Sequence, residues 1–275
     1  MTHEETAARM AQRMENIQEK TMSASSKPLT GKVALVTGGA RGLGAATARK
    51  LAEMGADIAI TFVSPSSVSK AAAIVAGIEQ LGGRGIALQA DQGDVSTAPQ
   101  MIGSIIERFG RLDIVINNAS IDRFGNVDDP QRDDEDFERY WAVANTGLRA
   151  IVRAASRVMT DGGRFVFVGS NLSVRPGAAG MSDMASIKAS IDGYARGVAR
   201  DLADRAITVN VVHAGFMETD INIDFRDSIR PLLQNLCFKR FGRLEEVVAP
   251  IAFLASPAAS YITGTIIDAD GGYNV

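Results

Sequence analysis

From Lys32 to the C-terminus, short apolar and β-branched runs alternate strictly with longer stretches of helical periodicity. That alternation constrains the fold more than any single residue does. The strand candidates are Val33–Thr37, Ile58–Phe62, Gly85–Gln89, Leu112–Ile116, Arg164–Val168, Thr208–Val212 and Thr265–Asp268. Between them lie helical stretches at Gly42–Met54, Val68–Leu81, Thr97–Phe109, Glu135–Met159, Asp183–Ala203 and Glu245–Ala255. Runs such as Val33–Val36 are apolar at every position, which fits strands buried on both faces. Repeated βαβ units of this kind predict an α/β fold, a doubly wound Rossmann-like parallel sheet of about seven strands with helices on both faces.

Residues 30–275 read as one domain, and 275 residues suffice for a single large core. Residues 1–29 stand apart. Ala7, Met10, Ala11, Met14 and Ile17 recur at helical spacing, followed by the linker Ser23–Pro28. This extension reads as a frayed helical or disordered tail, as an oligomer contact, or as residues preceding a natural start at Met22. Phe216–Arg243 is mixed in character and follows a strand end, so it reads as a substrate-covering lobe that moves.

Composition excludes several partners. A net charge of -3 offers nothing to nucleic acid or to an anionic membrane surface. The single cysteine, Cys237, cannot form an internal disulfide, and His3 and His213 are too few for a His/Cys metal cluster. The apolar runs are too short to span a bilayer, and the N-terminus has no apolar signal core. A cytoplasmic protein with a small-molecule substrate is the expectation.

The run Thr37-Gly38-Gly39-Ala40-Arg41-Gly42-Leu43-Gly44 leaves the first strand and opens the first helix. Glycines there let the backbone approach a pyrophosphate, and the free N–H groups of the helix start face its charge. This predicts a dinucleotide site. An acid at the end of the second strand is the usual mark of NAD, because it binds the ribose 2′-hydroxyl. That end reads Thr61-Phe62-Val63-Ser64, and Asp57 sits at the far end, about 15 Å away at roughly 3.3 Å per residue. Arg41 can pair with a 2′-phosphate and Ser64 can hydrogen-bond it, so NADP(H) is expected over NAD(H).

These residues, with several more in order, resemble the classical short-chain dehydrogenase/reductase family over about residues 30–275. Thr37-Gly38-x-x-x-Gly42-x-Gly44 is similar to the family's cofactor turn. Asp91, with Gln92 beside it, falls where the family binds adenine. Asn117-Asn118-Ala119-Ser120 resembles the motif ending the fourth strand, with Ser120 where glycine is usual. Asn145 falls where a helix asparagine organises a relay water, and Ser170 where a catalytic serine ends the fifth strand. Lys188 matches the lysine that grips the nicotinamide ribose. Thr208-Val209-Asn210, Gly215, Thr219-Asp220 and Asp268-x-Asp270-Gly271-Gly272 complete the series. The resemblance implies catalytic roles for Ser170, Lys188 and Asn145, and a homotetramer or homodimer assembled through the helices around 135–159 and 183–203.

The resemblance breaks at one position. Four residues before Lys188, where the family keeps the catalytic tyrosine, stands Met184. The i, i+4 spacing puts both side chains on one helical face. A thioether has no proton to give, and general acid catalysis is typically worth about 10²–10⁴-fold. His213-Ala214-Gly215 also replaces the usual Pro-Gly, which frees a backbone φ under the nicotinamide. Lys188 and Asp122 are candidate proton sources. Ser182 and Asp183 read instead as helix caps, and His213 as a structural histidine. Tyr140 and Tyr194 lie on helices with no link to the site.

The leading reading is an NADP(H)-dependent oxidoreductase acting on a carbonyl or alcohol in an atypical site. The alternatives are a non-redox isomerase, cyclase or lyase that uses the nucleotide structurally or transiently, and a silent subunit of a hetero-oligomer. Asp122, Phe124, Met181, Met184, Phe216 and Met217 suggest a pocket for a largely apolar substrate.

Overall fold

The computed structural model describes residues 27–219 and 229–275. Expectations for residues 1–26 and for 220–228, within the covering lobe, lie outside the described residues. Among the described residues seven strands form one sheet: β1 (Val33–Val36), β2 (Asp57–Phe62), β3 (Gly85–Gln89), β4 (Ile114–Asn117), β5 (Arg164–Ser170), β6 (Thr208–Ala214) and β7 (Ile266–Ala269). The order is β3-β2-β1-β4-β5-β6-β7, and every pairing is parallel.

The apolar strand runs are explained by burial on two sides. Ala34 and Val36 of β1 pack into one core layer, while Val33 and Leu35 pack into the other. The first layer lies under α1 (Gly42–Glu53), α2 (Val68–Gln80) and, after the lobe, α7 (Leu244–Ala255). The second lies under α3 (Thr97–Phe109), α5 (Leu148–Ser156) and α6 (Ser182–Asp201). Burying each Val, Leu or Ile side chain contributes roughly 1.5–3 kcal/mol, so both layers are needed against chain entropy. Leu29, expected at the edge of the tail, belongs to the first layer, and its N–H donates to the Met54 carbonyl at 2.8 Å.

Two departures from the expected elements matter for the site. β5 and β6 run on to Ser170 and Ala214, because they pair residue for residue to their ends, Ser170 opposite Ala214. The single helix expected over 135–159 is divided. An α-helix, α4 (Asp134–Trp141), passes into a π-helical turn (Ala142–Gly147) before α5. The tight spot is Gly147, where a Cβ would lie 1.8 Å from the Gln92 carbonyl oxygen. The Asn145 side chain bridges to α6 from this turn, its amide donating to the Ile187 carbonyl at 3.2 Å and its oxygen accepting from Ser190. π-Turns inside helices recur at functional sites because they re-aim side chains.

The strand order reverses direction between β1 and β4, which leaves a crevice at the carboxyl ends of the strands. Ligands bind there in sheets of this kind. Among the described residues no helix is long and apolar enough to cross a membrane.

Candidate active site

A cleft of about 560 Å³ runs along those carboxyl ends. Its first part is the glycine turn. Gly38 has φ +65° and Gly42 has φ +52°, conformations that glycine adopts without strain. At Gly44 the demand is for space: a Cβ there would stand 2.3 Å from the Gly38 carbonyl oxygen and 2.6 Å from Asn118 Nδ2. Side chains lock the turn to its neighbours. Thr37 Oγ1 accepts from the Asn118 and Ala119 N–H groups at 3.0 and 2.9 Å, and Thr61 Oγ1 accepts from the Gly38 N–H at 3.0 Å. Asn118 Nδ2 donates to the Thr37 carbonyl at 2.9 Å.

The helix that follows is built to meet an anion. α1 has no acid in its first turn, and among the described residues no side chain caps its start. Its leading N–H groups are therefore available to a phosphate. Ala40, Arg41 and Leu43 line the cleft with Gly38, Gly42 and Gly44. Ser64 lines it too, and its hydroxyl accepts from the Ser66 N–H at the start of a short turn. Sequence reasoning missed Ser66, Ser67 and Lys70, which line the same end of the cleft as Arg41. They follow the second strand at no fixed spacing, so the only available signal was a Ser-rich start to a helix carrying a cation.

Asp91 and Gln92 also face the cleft, but neither is idle. Arg139 grips the Asp91 carboxylate with one nitrogen at 2.6 and 2.7 Å, and Gln92 Nε2 donates to the Val143 carbonyl in the π-turn at 2.7 Å. Arg139 was not expected in the site.

At the other end lie Ser120, Asp122, Ser170, Met184 and Lys188. Ser170 closes β5, and its Oγ accepts from the Leu172 N–H at 3.2 Å. Lys188 is buried, and Nζ donates to Ser120 Oγ at 3.1 Å. Burial pushes the Lys188 ammonium below the usual lysine range, with the Asp122 charge opposing. Met184 is buried one turn earlier on α6. Gly215, Phe216, Met217 and Thr219 line the cleft just after β6.

Asn145 ties the π-turn to α6, the helix that carries Lys188. Two expectations are corrected. Ser182 and Asp183 do not cap α6, which begins after Met181; Asp183 instead pairs with Arg132 at 2.6 Å. Tyr140, expected to have no link to the site, is buried with Met181 and Met184 and stands beside the Ser120 hydroxyl. Burial first, and then Asp122, push its phenol above the usual tyrosine range, so it stays protonated. His213 is structural as expected: it is buried between Asp268, 2.8 Å from Nδ1, and Asp192, 2.9 Å from Nε2.

The comparisons with known proteins agree with this architecture. The family described as Enoyl-(Acyl carrier protein) reductase matches residues 38–274. A 3-oxoacyl-[acyl-carrier-protein] reductase of Synechocystis is 36% identical over 247 residues, covering 89% of this chain and 97% of that protein. A versicolorin reductase of Emericella nidulans is 34% identical over 263 residues, covering 91% and 98%. Among solved structures, a blue fluorescent protein from a metagenomic library, in complex with NADPH, superposes with a TM-score of 0.87 at 40% identity, covering 90% of this chain and all of that one. A short-chain dehydrogenase from Burkholderia cenocepacia, in complex with NADP, superposes with a TM-score of 0.86 at 42% identity, also covering 90% of this chain. The chain belongs to the short-chain dehydrogenase/reductase family, and its class of chemistry is that of an oxidoreductase.

Proposed function

We propose that the protein is an NADP(H)-dependent reductase of a carbonyl group on a small, largely apolar substrate, working without a tyrosine acid. The observation that carries this reading is the continuity of the cleft. One cavity joins the uncapped helix start and its cations to a buried Ser170–Lys188 end. The residues fit the cofactor: Gly38 to Gly44 and the start of α1 would hold the pyrophosphate, and Arg41, Ser64 and Lys70 the 2′-phosphate. Asp91 and Gln92 would meet the adenine, and Asn118, Ala119, Lys188, Gly215 and Thr219 the nicotinamide half. Bound there, the reduced nicotinamide supplies a hydride.

The chain's own residues do the rest. Ser170 donates a hydrogen bond to the substrate oxygen as it gains charge, which preorganises the site for the transition state. Phe216, Met217 and Met184 wall the substrate end with apolar surface, and Met side chains adapt to irregular shapes. Asp122 is the acid on that wall and faces Lys188. Asn145 is a positioning residue, because it fixes the π-turn against the helix carrying Lys188.

The cofactor half of this reading is tested by paired titrations. Arg41→Ala and Lys70→Ala are each expected to weaken NADPH binding about 10-fold, the low end for a charge-assisted contact at an exposed site, with little change for NADH. Equal losses for both nucleotides contradict the assignment.

A further inference from the structure

The site has lost a phenol and kept an ammonium, and a hydroxyl stands against that ammonium. Ser120 Oγ accepts from Lys188 Nζ at 3.1 Å. The Tyr140 phenol, enclosed and without a formed hydrogen bond among the described residues, stands beside the same hydroxyl. A serine oxygen has two acceptor sites and one proton. Lys188 occupies one acceptor site, and the Ser120 O–H remains to be directed at another partner. Among the described residues the Ser120 O–H donates to the Ile121 carbonyl at 3.3 Å, longer than an ordinary O–H···O bond of about 2.5–3.0 Å, so that contact holds the proton weakly. Ser120 also lines the cleft shared with Ser170 and Lys188. Ser170 is placed differently: its Oγ meets Asn171 Oδ1 at 3.4 Å, and among the described residues no ammonium hydrogen-bonds it.

We propose that Ser120 is the immediate proton donor to the substrate carbonyl oxygen, with Lys188 resupplying the proton from behind. The proposal rests on the reductase reading above. As hydride reaches the carbonyl carbon, the C=O π pair moves onto the oxygen. That oxygen takes the proton from Ser120 as the Oγ–H bond breaks. In the same shift Ser120 Oγ takes a proton from Lys188 Nζ, and the neutral amine regains one from solvent. The carbonyl is reduced to an alcohol, the nicotinamide is oxidised, and Ser120 ends unchanged.

The test uses the full chain with Ser120→Ala, Ser120→Gly and Ser120→Thr. NADPH consumption with carbonyl substrates gives kcat, fluorescence titration gives the NADPH Kd, and NMR of the cofactor-free protein follows Lys188 titration. Ser120→Ala and Ser120→Gly are expected to lower kcat by about 100-fold or more, the usual loss for a general acid. Their NADPH Kd is expected to move by less than about 3-fold. Ser120→Thr, which keeps the hydroxyl, is expected to restore kcat to within about 10-fold. Wild-type kcat is expected to fall as pH rises through the depressed Lys188 value, and that limb is expected to vanish in Ser120→Ala. In the cofactor-free protein, Lys188 is expected to titrate lower in Ser120→Ala, because its ammonium has lost an acceptor. Unchanged kcat in the Ala and Gly variants overturns the donor role while leaving the reductase reading intact, and so does an unmoved Lys188 titration. A wild type that binds NADPH and never oxidises it with any carbonyl overturns the reductase reading and the donor role together.

Discussion

Gly44→Val is expected to weaken NADPH binding by at least about 100-fold, equivalent to roughly 2.7 kcal/mol, while the sheet still folds. Even the first side-chain carbon at this position would stand 2.3 Å from the Gly38 carbonyl oxygen. That oxygen belongs to backbone held on both sides. The Gly38 N–H donates to Thr61 Oγ1, and the Gly39 N–H donates to the Thr61 carbonyl at 3.0 Å. The turn cannot yield locally, so the start of α1 must move away from β1. Overpacking of this kind typically costs about 1–3 kcal/mol in stability. The binding loss is separate, because the displaced N–H groups no longer converge on a pyrophosphate. Fluorescence titration with NADPH reads the binding and circular dichroism reads the fold. Gly103→Ala is the matched control. It lies in the interior of α3 with nothing within 4 Å of an added Cβ. Removing a helix-interior glycine there is expected to stabilise the protein by about 0.5–1 kcal/mol and leave NADPH binding alone.

The second large effect is at His213. Its imidazole is 1% exposed and bridges Asp268 on β7 and Asp192 on α6, with Ser173 Oγ 3.1 Å from Nε2. Burial pushes the imidazole down, but the hydrogen bonds and charges of Asp192 and Asp268 outweigh it and hold its pKa above the usual histidine value. A raised folded pKa means that the contribution to stability is fully present below the unfolded value, about 6.5. It is lost as pH rises through the raised folded value. His213→Gln leaves two carboxylates facing a neutral side chain. Breaking a buried pair costs about 3–5 kcal/mol, and Asp268 is partly exposed, so the low end applies: about 3 kcal/mol, or a Tm lower by roughly 6–12 °C. Thermal melts across pH check both points. The wild-type Tm is expected to fall as pH rises above the ordinary histidine range, and the variant is expected to show a flatter profile. A variant with wild-type Tm, or a parallel pH profile, contradicts the charged-histidine account.

The fold was legible because the inner strands β1, β2, β4, β5 and β6 are buried on both faces, which leaves unpatterned β-branched runs that no amphipathic helix would carry. Strand ends were less legible. Ser170 and Ala214 extend β5 and β6 only because each has the other as a partner. The π-turn at Ala142–Gly147 was hidden for a similar reason. Its sequence continues the helical periodicity, and the break depends on Asn145 reaching Ile187 and Ser190 on another helix. In the site, the glycine turn was readable from its place between a strand and a helix, whereas Ser170, Met184 and Lys188 were singled out only through the family resemblance. Lys70 and Arg139 were not readable, since their relation to Arg41 and Asp91 arises only when separate elements meet across the cleft. Tyr140 was misread for that reason too: on its own helix nothing marks it, and Ser120 comes to it from the end of β4.

The central proposal is that hydride transfer proceeds with Met184 at the position where the family resemblance implies a tyrosine. The direct measurement is loss of reduced-nicotinamide absorbance over a panel of carbonyl compounds, run on wild type and on Met184→Tyr, with the alcohol product counted against the cofactor consumed. The expected result is that wild type oxidises NADPH one-to-one with alcohol formed, with no need of the added phenol. The contradicting result is a wild type that binds NADPH and leaves it unoxidised while Met184→Tyr reduces carbonyls.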